Sequence, residues 1–266
     1  MRTSYGTSCL STFSRIRLEE THGFPVLMLN RPPVNAFNKQ FLVELQQALQ
    51  HLEKNSSTGF ILASALPTTF SAGIDFSELY QREKKDIETF WREMQMMWLM
   101  LYSYPRPVVA AINGHCLAGG CVLVSCADYR LAAAGTYDFC IPAARLGLTA
   151  PLWFLKALRS IVGQRCTELI VSRAENMQPE RALNIGLVDE LCEPRILLER
   201  SVEVLKSFAK VDQETQTEMK LMLRQDLLQS VDMDSDRDQF VEWTCREKTQ
   251  NILATVNAKL KKQTTT

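Results

Sequence analysis

Apolar residues recur along this chain at two spacings, and the change from one to the other divides it. Short apolar runs at Phe13 to Leu18 and Pro25 to Leu29 flank a turn at Thr21 to Gly23 and predict two strands. Pro32 and Pro33 end the second. After Asn38, a helix-capping residue, Phe41, Leu45, Ala48, Leu49 and Leu52 fall on one helical face. Gly59 to Ala65 reads as a buried strand, and Phe70 to Asp75 as a loop of small residues. Lys84 to Tyr104 is a long amphipathic helix carrying Phe90, Met94, Met97, Trp98 and Leu101. The strand Pro107 to Ile112 runs into a turn at Gly119-Gly120 and a helix to about Ala127. Short strands follow at Tyr129 to Ala133 and Tyr137 to Ile141. From Pro151 the period is helical: Leu152 to Val162, Cys166 to Val171, Pro179 to Asn184, Leu197 to Ala209, Glu214 to Gln229 and Arg237 to Leu260.

Strands alternating with helices predict a layered α/β core over 13–195, and a helical region over 196–266. No internal repeat or low-complexity segment interrupts either.

Composition narrows the class. At 266 residues and 46% hydrophobic, the chain can bury a substantial core. Thirty basic and thirty acidic residues cancel, which gives no electrostatic case for a nucleic-acid partner. No run approaches the ~18 to 20 apolar residues of a membrane helix. The eight cysteines are scattered, and Cys116, Cys121 and Cys126 lack the spacing of a zinc site, so they read as small buried residues. Met1 to Leu18 holds Arg2, Arg15 and Arg17 and no Asp or Glu, a composition like that of a mitochondrial presequence. Residues 1–12 are therefore expected to be a transit remnant or a flexible terminus.

Two loops carry candidate chemistry: Phe70-Ser71-Ala72-Gly73-Ile74-Asp75, and Ala118-Gly119-Gly120 at the head of a helix. Each offers backbone N–H groups beside small residues, and a helix start adds the positive end of its dipole. Brought together, two N–H groups can hold one oxyanion; apart, each loop is a tight turn between packed elements.

Taken in order, the segments Asn35-Ala36-Phe37, Phe70 to Asp75, Pro107 to Gly114, Ala118-Gly119-Gly120, Asp128-Tyr129-Arg130 and Gly186-Leu187-Val188-Asp189 resemble the crotonase (enoyl-CoA hydratase/isomerase) superfamily. The resemblance covers about residues 13 to 260. Leu146 to Trp153 and Ala118 to Cys121 look most like its mitochondrial Δ3,Δ2-isomerase branch. The resemblance implies a crotonase-type spiral of ββα repeats with a C-terminal α-helical trimerisation region, hence a homotrimer. It implies an enzyme of fatty-acid β-oxidation in the mitochondrial matrix that shifts the double bond of a 3-enoyl-CoA to 2-trans. The partner is then an acyl-CoA thioester, with coenzyme A as part of the substrate and no separate cofactor or metal. The thioester oxygen would meet the N–H groups of Ile74 and Gly119, with Ala72, Gly73, Asp75 and Gly120 completing the binding site.

At three positions the chain departs from the family. The catalytic carboxylates of hydratases and isomerases fall at Val122, at Ala143 and near Pro151, and none of these is acidic. No Asp or Glu occurs between Asp138 and Glu168, so a slip of one or two residues recovers none. The alternative reading is a non-catalytic acyl-CoA binder, or a crotonase with altered chemistry. Other titratable residues near the motifs have ordinary roles open to them: Asp75 structural, His115 packed or bonded to backbone, Glu78 solvated or helix-paired. Cys121, Cys140 and Tyr137 would each need a lowered pKa to act as a base. Met94, Met96, Met97 and Met100 suit either core packing or an acyl pocket. Lys259, Lys261 and Lys262 suit either CoA phosphates or a solvated tail.

Overall fold

The computed structural model describes residues 13–263, with side chains up to 259; the expected transit segment lies outside them. Strands β1 (Ile16–Thr21), β2 (Phe24–Leu29), β4 (Phe60–Ser64), β7 (Val108–Ile112), β9 (Tyr129–Ala133) and β11 (Glu190–Cys192) form one six-stranded sheet in that order. Only β1 is antiparallel to its neighbour; the rest pair in parallel, Leu27 with Leu62, Ile61 with Val109 and Ala111 with Leu131.

Both faces of this sheet are covered, which explains its unbroken apolar strands. Leu27, Leu29, Phe60, Leu62, Val108, Ala110 and Ile112 point into the main core. That core is built with the helices α1 (Lys39–Asn55), α2 (Lys84–Tyr102), α3 (Gly119–Cys126) and α4 (Leu152–Val162). The alternate residues Val26, Ile61, Ala63, Val109, Ala111 and Leu131 pack against α7 (Leu197–Phe208).

Each turn of chain leaves the large sheet, adds a short strand elsewhere and returns through a helix. Thus β2 leads to β3 (Ala36–Phe37) and α1, and β4 leads to β5 (Thr69–Ser71), β6 (Gly73–Ile74) and α2. Strand β7 leads to β8 (His115–Leu117) and α3, and β9 leads to β10 (Phe139–Cys140) and α4. Strands β10, β8 and β5 form a three-stranded parallel sheet, and β3 pairs with β6. This is the expected succession of ββα units.

Helices α5 (Gln164–Arg173) and α6 (Pro179–Asn184) complete the segment before β11, and α8 (Gln213–Gln229), α9 (Met233–Cys245) and α10 (Glu247–Gln263) follow α7. Helix α1 begins as expected: the Asn38 side chain accepts a 2.9 Å bond from the Phe41 N–H.

Four expectations are corrected. Strand β1 starts at Ile16, not Phe13. The loop Phe70 to Asp75 contains two short strands, and β3, β8 and β11 are strands that the sequence pattern does not predict. Two or three residues are too few to show a period, and only their ladders define them. Finally, the helix expected over Arg237 to Leu260 is two helices, parted at Arg246, whose backbone is extended. Gln250 holds that break: its Nε2 donates to the Thr244 carbonyl at 2.8 Å and to Leu79 O at 3.2 Å.

Candidate active site

The two glycine loops meet. A Cβ placed on Gly73 would lie 2.6 Å from the Gly119 nitrogen, and one on Gly119 would lie 3.1 Å from Gly73 Cα. Neither has room for a methyl group, and Gly73 also sits at φ +85°. In the second loop the positive φ belongs to Ala118, at 47°, and not to either glycine. Gly119 and Gly120 are glycines for space: a Cβ would strike Phe37 at 2.4 Å and the Ser71 carbonyl oxygen at 2.8 Å.

Two N–H groups are presented here. Strand β6 is held to β3 through the Asp75 N–H, which donates to Phe37 O at 3.0 Å. Alternate residues of a strand face opposite edges, so the Ile74 N–H points away from β3. Gly119 is the first residue of α3, whose opening N–H groups precede the first intrahelical bond, Val122 N–H to Ala118 O at 3.2 Å.

A hydrogen-bonded frame fixes the Ile74 segment. Asn35, buried at φ 49°, donates from Nδ2 to Ser64 Oγ (2.8 Å) and Phe70 O (2.9 Å). Ser71 Oγ donates to Asn35 O at 2.8 Å and accepts from the Gly73 N–H at 3.1 Å. Arg31 bonds Ala36 O at 2.8 Å and the Asp75 carboxylate at 2.6 Å. Arg31 carries no signal in the sequence, and Ser71, though part of the loop motif, shows its bridging role only once its partners are in place.

Ile74 and Gly119 open onto one cavity of about 90 Å³. Ala72, Phe76, Trp91, Met94, Ile141, Leu146, Leu148, Phe154 and Phe240 form much of its wall. Val122, Ala143 and Pro151 line the same wall. Among the described residues lining it there is no carboxylate, imidazole, thiol, amine or phenol.

Residues 19–259 match the enoyl-CoA hydratase/isomerase family. This chain belongs to that family. It is 30% identical over 252 residues to the mitochondrial enoyl-CoA delta isomerase 1 of Mus musculus, covering 93% of this chain and 87% of that one. It is 29% identical over 188 residues to the crotonyl-CoA hydratase of Syntrophomonas wolfei subsp. wolfei, covering 70% and 72%. The crystal structure of human mitochondrial delta3-delta2-enoyl-CoA isomerase superposes with a TM-score of 0.91 at 29% identity, covering 94% of this chain and 99% of that one. The architecture is the crotonase fold.

Within this family frame the remaining candidates are placed as follows. Ala72, Ile74 and Gly119 line the cavity, whereas Gly73, Gly120 and Asp75, also expected in the binding site, do not. The two glycines are packed behind the wall. Asp75 turns toward Arg31 and accepts from the Ser77 N–H (3.1 Å) and hydroxyl (2.7 Å). Burial pushes its carboxyl up, but the bonds from Ser77 and the Arg31 guanidinium outweigh this and hold it below the usual value.

His115 Nδ1 accepts from the Asp138 N–H at 3.1 Å, and Glu78 accepts from the Lys39 N–H at 3.1 Å. Cys121 is buried with its thiol on Cys116 O at 3.1 Å. Burial pushes the Cys140 thiol up to about 11 and raises the Tyr137 phenol, whose hydroxyl donates to Ala133 O at 2.6 Å. None of these groups reaches the cavity, and the raised pair moves away from the range of a useful base at neutral pH.

Of the methionines, Met94 lines the cavity, Met97 is core and Met96 is exposed. Lys259 lies with Arg145 and Lys248 along a surface groove on α10. The side chains of Lys261 and Lys262 lie outside the described residues.

Proposed function

We propose that this chain binds an acyl-CoA thioester with its carbonyl oxygen between the Ile74 and Gly119 N–H groups and its acyl chain in the apolar cavity. There it shifts the double bond of a 3-enoyl-CoA to 2-trans. The observation that supports this reading is the close approach of Gly73 and Gly119 beside a cavity that Ile74 and Gly119 both line. Loss of the C2 proton makes a dienolate whose charge collects on the thioester oxygen. Donors fixed at that oxygen stabilise the transition state more than the ground state, each by about 3 to 4 kcal/mol. The α3 dipole acts in the same sense. Coenzyme A enters as part of the substrate, and the chemistry calls for no further cofactor.

With no basic side chain in the wall, proton transfer falls to water or to the substrate's own groups. That same wall favours a second reading: a non-catalytic acyl-CoA binder that keeps the thioester seat without the proton relay. Incubation with a 3-enoyl-CoA, following the conjugated 2-enoyl product, separates the two. Turnover well above buffer excludes the binder; calorimetric binding of acyl-CoA without turnover excludes the isomerase.

Two further parts of the reading are proposals of the same kind. A homotrimer is supported by the outer face of α8, where Met219, Met222 and Leu223 stand exposed, Leu223 by 86%. A mitochondrial matrix location is supported by the acid-free residues 1–12, which hold Arg2 and six Ser or Thr.

A further inference from the structure

Three helices converge on a single carboxylate oxygen beside the cavity. Asp236 Oδ2, on α9, accepts from Trp91 Nε1 at 2.8 Å and Gln95 Nε2 at 2.8 Å, both on α2, and from Trp153 Nε1 at 3.1 Å on α4. Gln95 Nε2 also bonds the Met233 carbonyl at 2.8 Å. One turn beyond Asp236, Phe240 stacks on Trp91 with ring centroids 3.5 Å apart and planes 7° from parallel. Both rings line the cavity, and both side chains are buried. A carboxylate with three N–H donors on one oxygen is committed to holding them, and Asp236 does not itself line the cavity. Its effect is mechanical: it ties α9 to α2 and α4, so the Phe240–Trp91 stack cannot part without breaking charge-assisted bonds.

We propose that the Trp91–Phe240 stack, locked by Asp236, sets the length of acyl group the cavity accepts, and that the locked site takes short acyl chains. This rests on the reading of the cavity as an acyl site. The cavity, partly open to solvent, offers about 90 Å³, less than the ~150 Å³ that accommodates a benzene. A long chain enters only where the stack opens. Trp91 and Phe240 are then specificity-determining residues, and Asp236 is the positioning residue that holds them.

Calorimetric titration of the full-length protein with butyryl-CoA and dodecanoyl-CoA tests this. The wild type is expected to bind butyryl-CoA at least about tenfold more tightly. Phe240→Ala should raise the dodecanoyl-to-butyryl affinity ratio by at least about tenfold. Asp236→Ala should move the ratio in the same direction, and Asp236→Asn, which keeps an acceptor oxygen, should stay closer to wild type. Phe240→Leu, which fills the core without stacking, replaces Phe240→Ala if that variant fails to fold. Equal binding of both lengths by the wild type, or an unmoved ratio in the variants, overturns the proposal alone. Binding of neither thioester overturns the acyl-site reading and this proposal with it.

Discussion

Gly73 and Gly119 touch backbone to backbone, and the candidate site exists because of it. Loops 46 residues apart in sequence close to a distance at which a methyl group on either collides with the other. Gly119→Ala would drive a Cβ to 2.4 Å from Phe37 Cε2 and push α3 away from β3. The variant should lose about 1–3 kcal/mol of stability from overpacking. It should also bind acyl-CoA at least about tenfold more weakly, read by urea unfolding and calorimetry. Unaltered binding would remove Gly119 from the thioester seat. Gly119→Pro deletes the donor itself but meets the same Phe37 contact, so the alanine variant is the reference for it.

Ala143 sits in the cavity wall, whose described lining residues include no carboxylate. Ala143→Glu should therefore raise the rate of 3-enoyl-CoA isomerisation, within the roughly 10²–10⁴ range of a placed base. Formation of the conjugated product reports it directly. An unchanged rate in a folded variant means that the wall has been reshaped beyond one side chain.

Asp75 supports the Ile74 segment through charge. Its folded pKa lies below the ordinary 3.8 of an aspartate, so the carboxylate stabilises the fold above that value. The contribution disappears as pH falls through the lowered folded pKa. Asp75→Asn should cost about 1–2 kcal/mol at neutral pH, discounted for partial exposure. Unfolding free energies of wild type and variant should converge in acid, below pH 3.8. A difference that persists unchanged there contradicts the assignment.

Lys220, whose pKa is also lowered, gives the same rise of stability with pH, but at the alkaline end. It lies under α8, donating to Asp128 Oδ2 at 2.6 Å and to Arg106 O at 2.9 Å, with Arg224 on the other Asp128 oxygen at 2.9 Å. Burial, opposed by Asp128 and reinforced by Arg224, lowers its pKa from 10.5 to about 8. Between those values the unfolded chain binds more protons, so stability from this group rises with pH. Measured against Lys220→Met, wild-type stability should climb between pH 8 and 10.5, by at most about 1.4 kcal/mol per unit. A flat difference across that window contradicts the depressed amine.

Leu223 is 86% exposed on α8 beside Met222 at 69%. If this face packs against other copies of the chain, Leu223→Glu should shift the sedimenting species from trimer toward monomer while the helix content stays constant. A wild-type protein that sediments as a monomer at micromolar concentration removes the trimer.

What the sequence alone determined is local. Asn38 as a cap, Leu152–Val162 and Pro179–Asn184 as helices, and β4, β7 and β9 as buried strands follow from period, capping and turn chemistry, which act within a few residues. The order of the glycine loops pointed to the family, and the absence of acid between Asp138 and Glu168 was visible in the letters. Tertiary structure decided the rest. It made strands of two and three residues at β3, β6, β8 and β11, parted α9 from α10 through Gln250, and placed Val122, Ala143 and Pro151 on one wall. It also joined α2, α4 and α9 at Asp236, across 83 and 145 residues of chain. Such partners are chosen by packing and by the need of buried donors for acceptors, and neither leaves a mark at short range in the sequence.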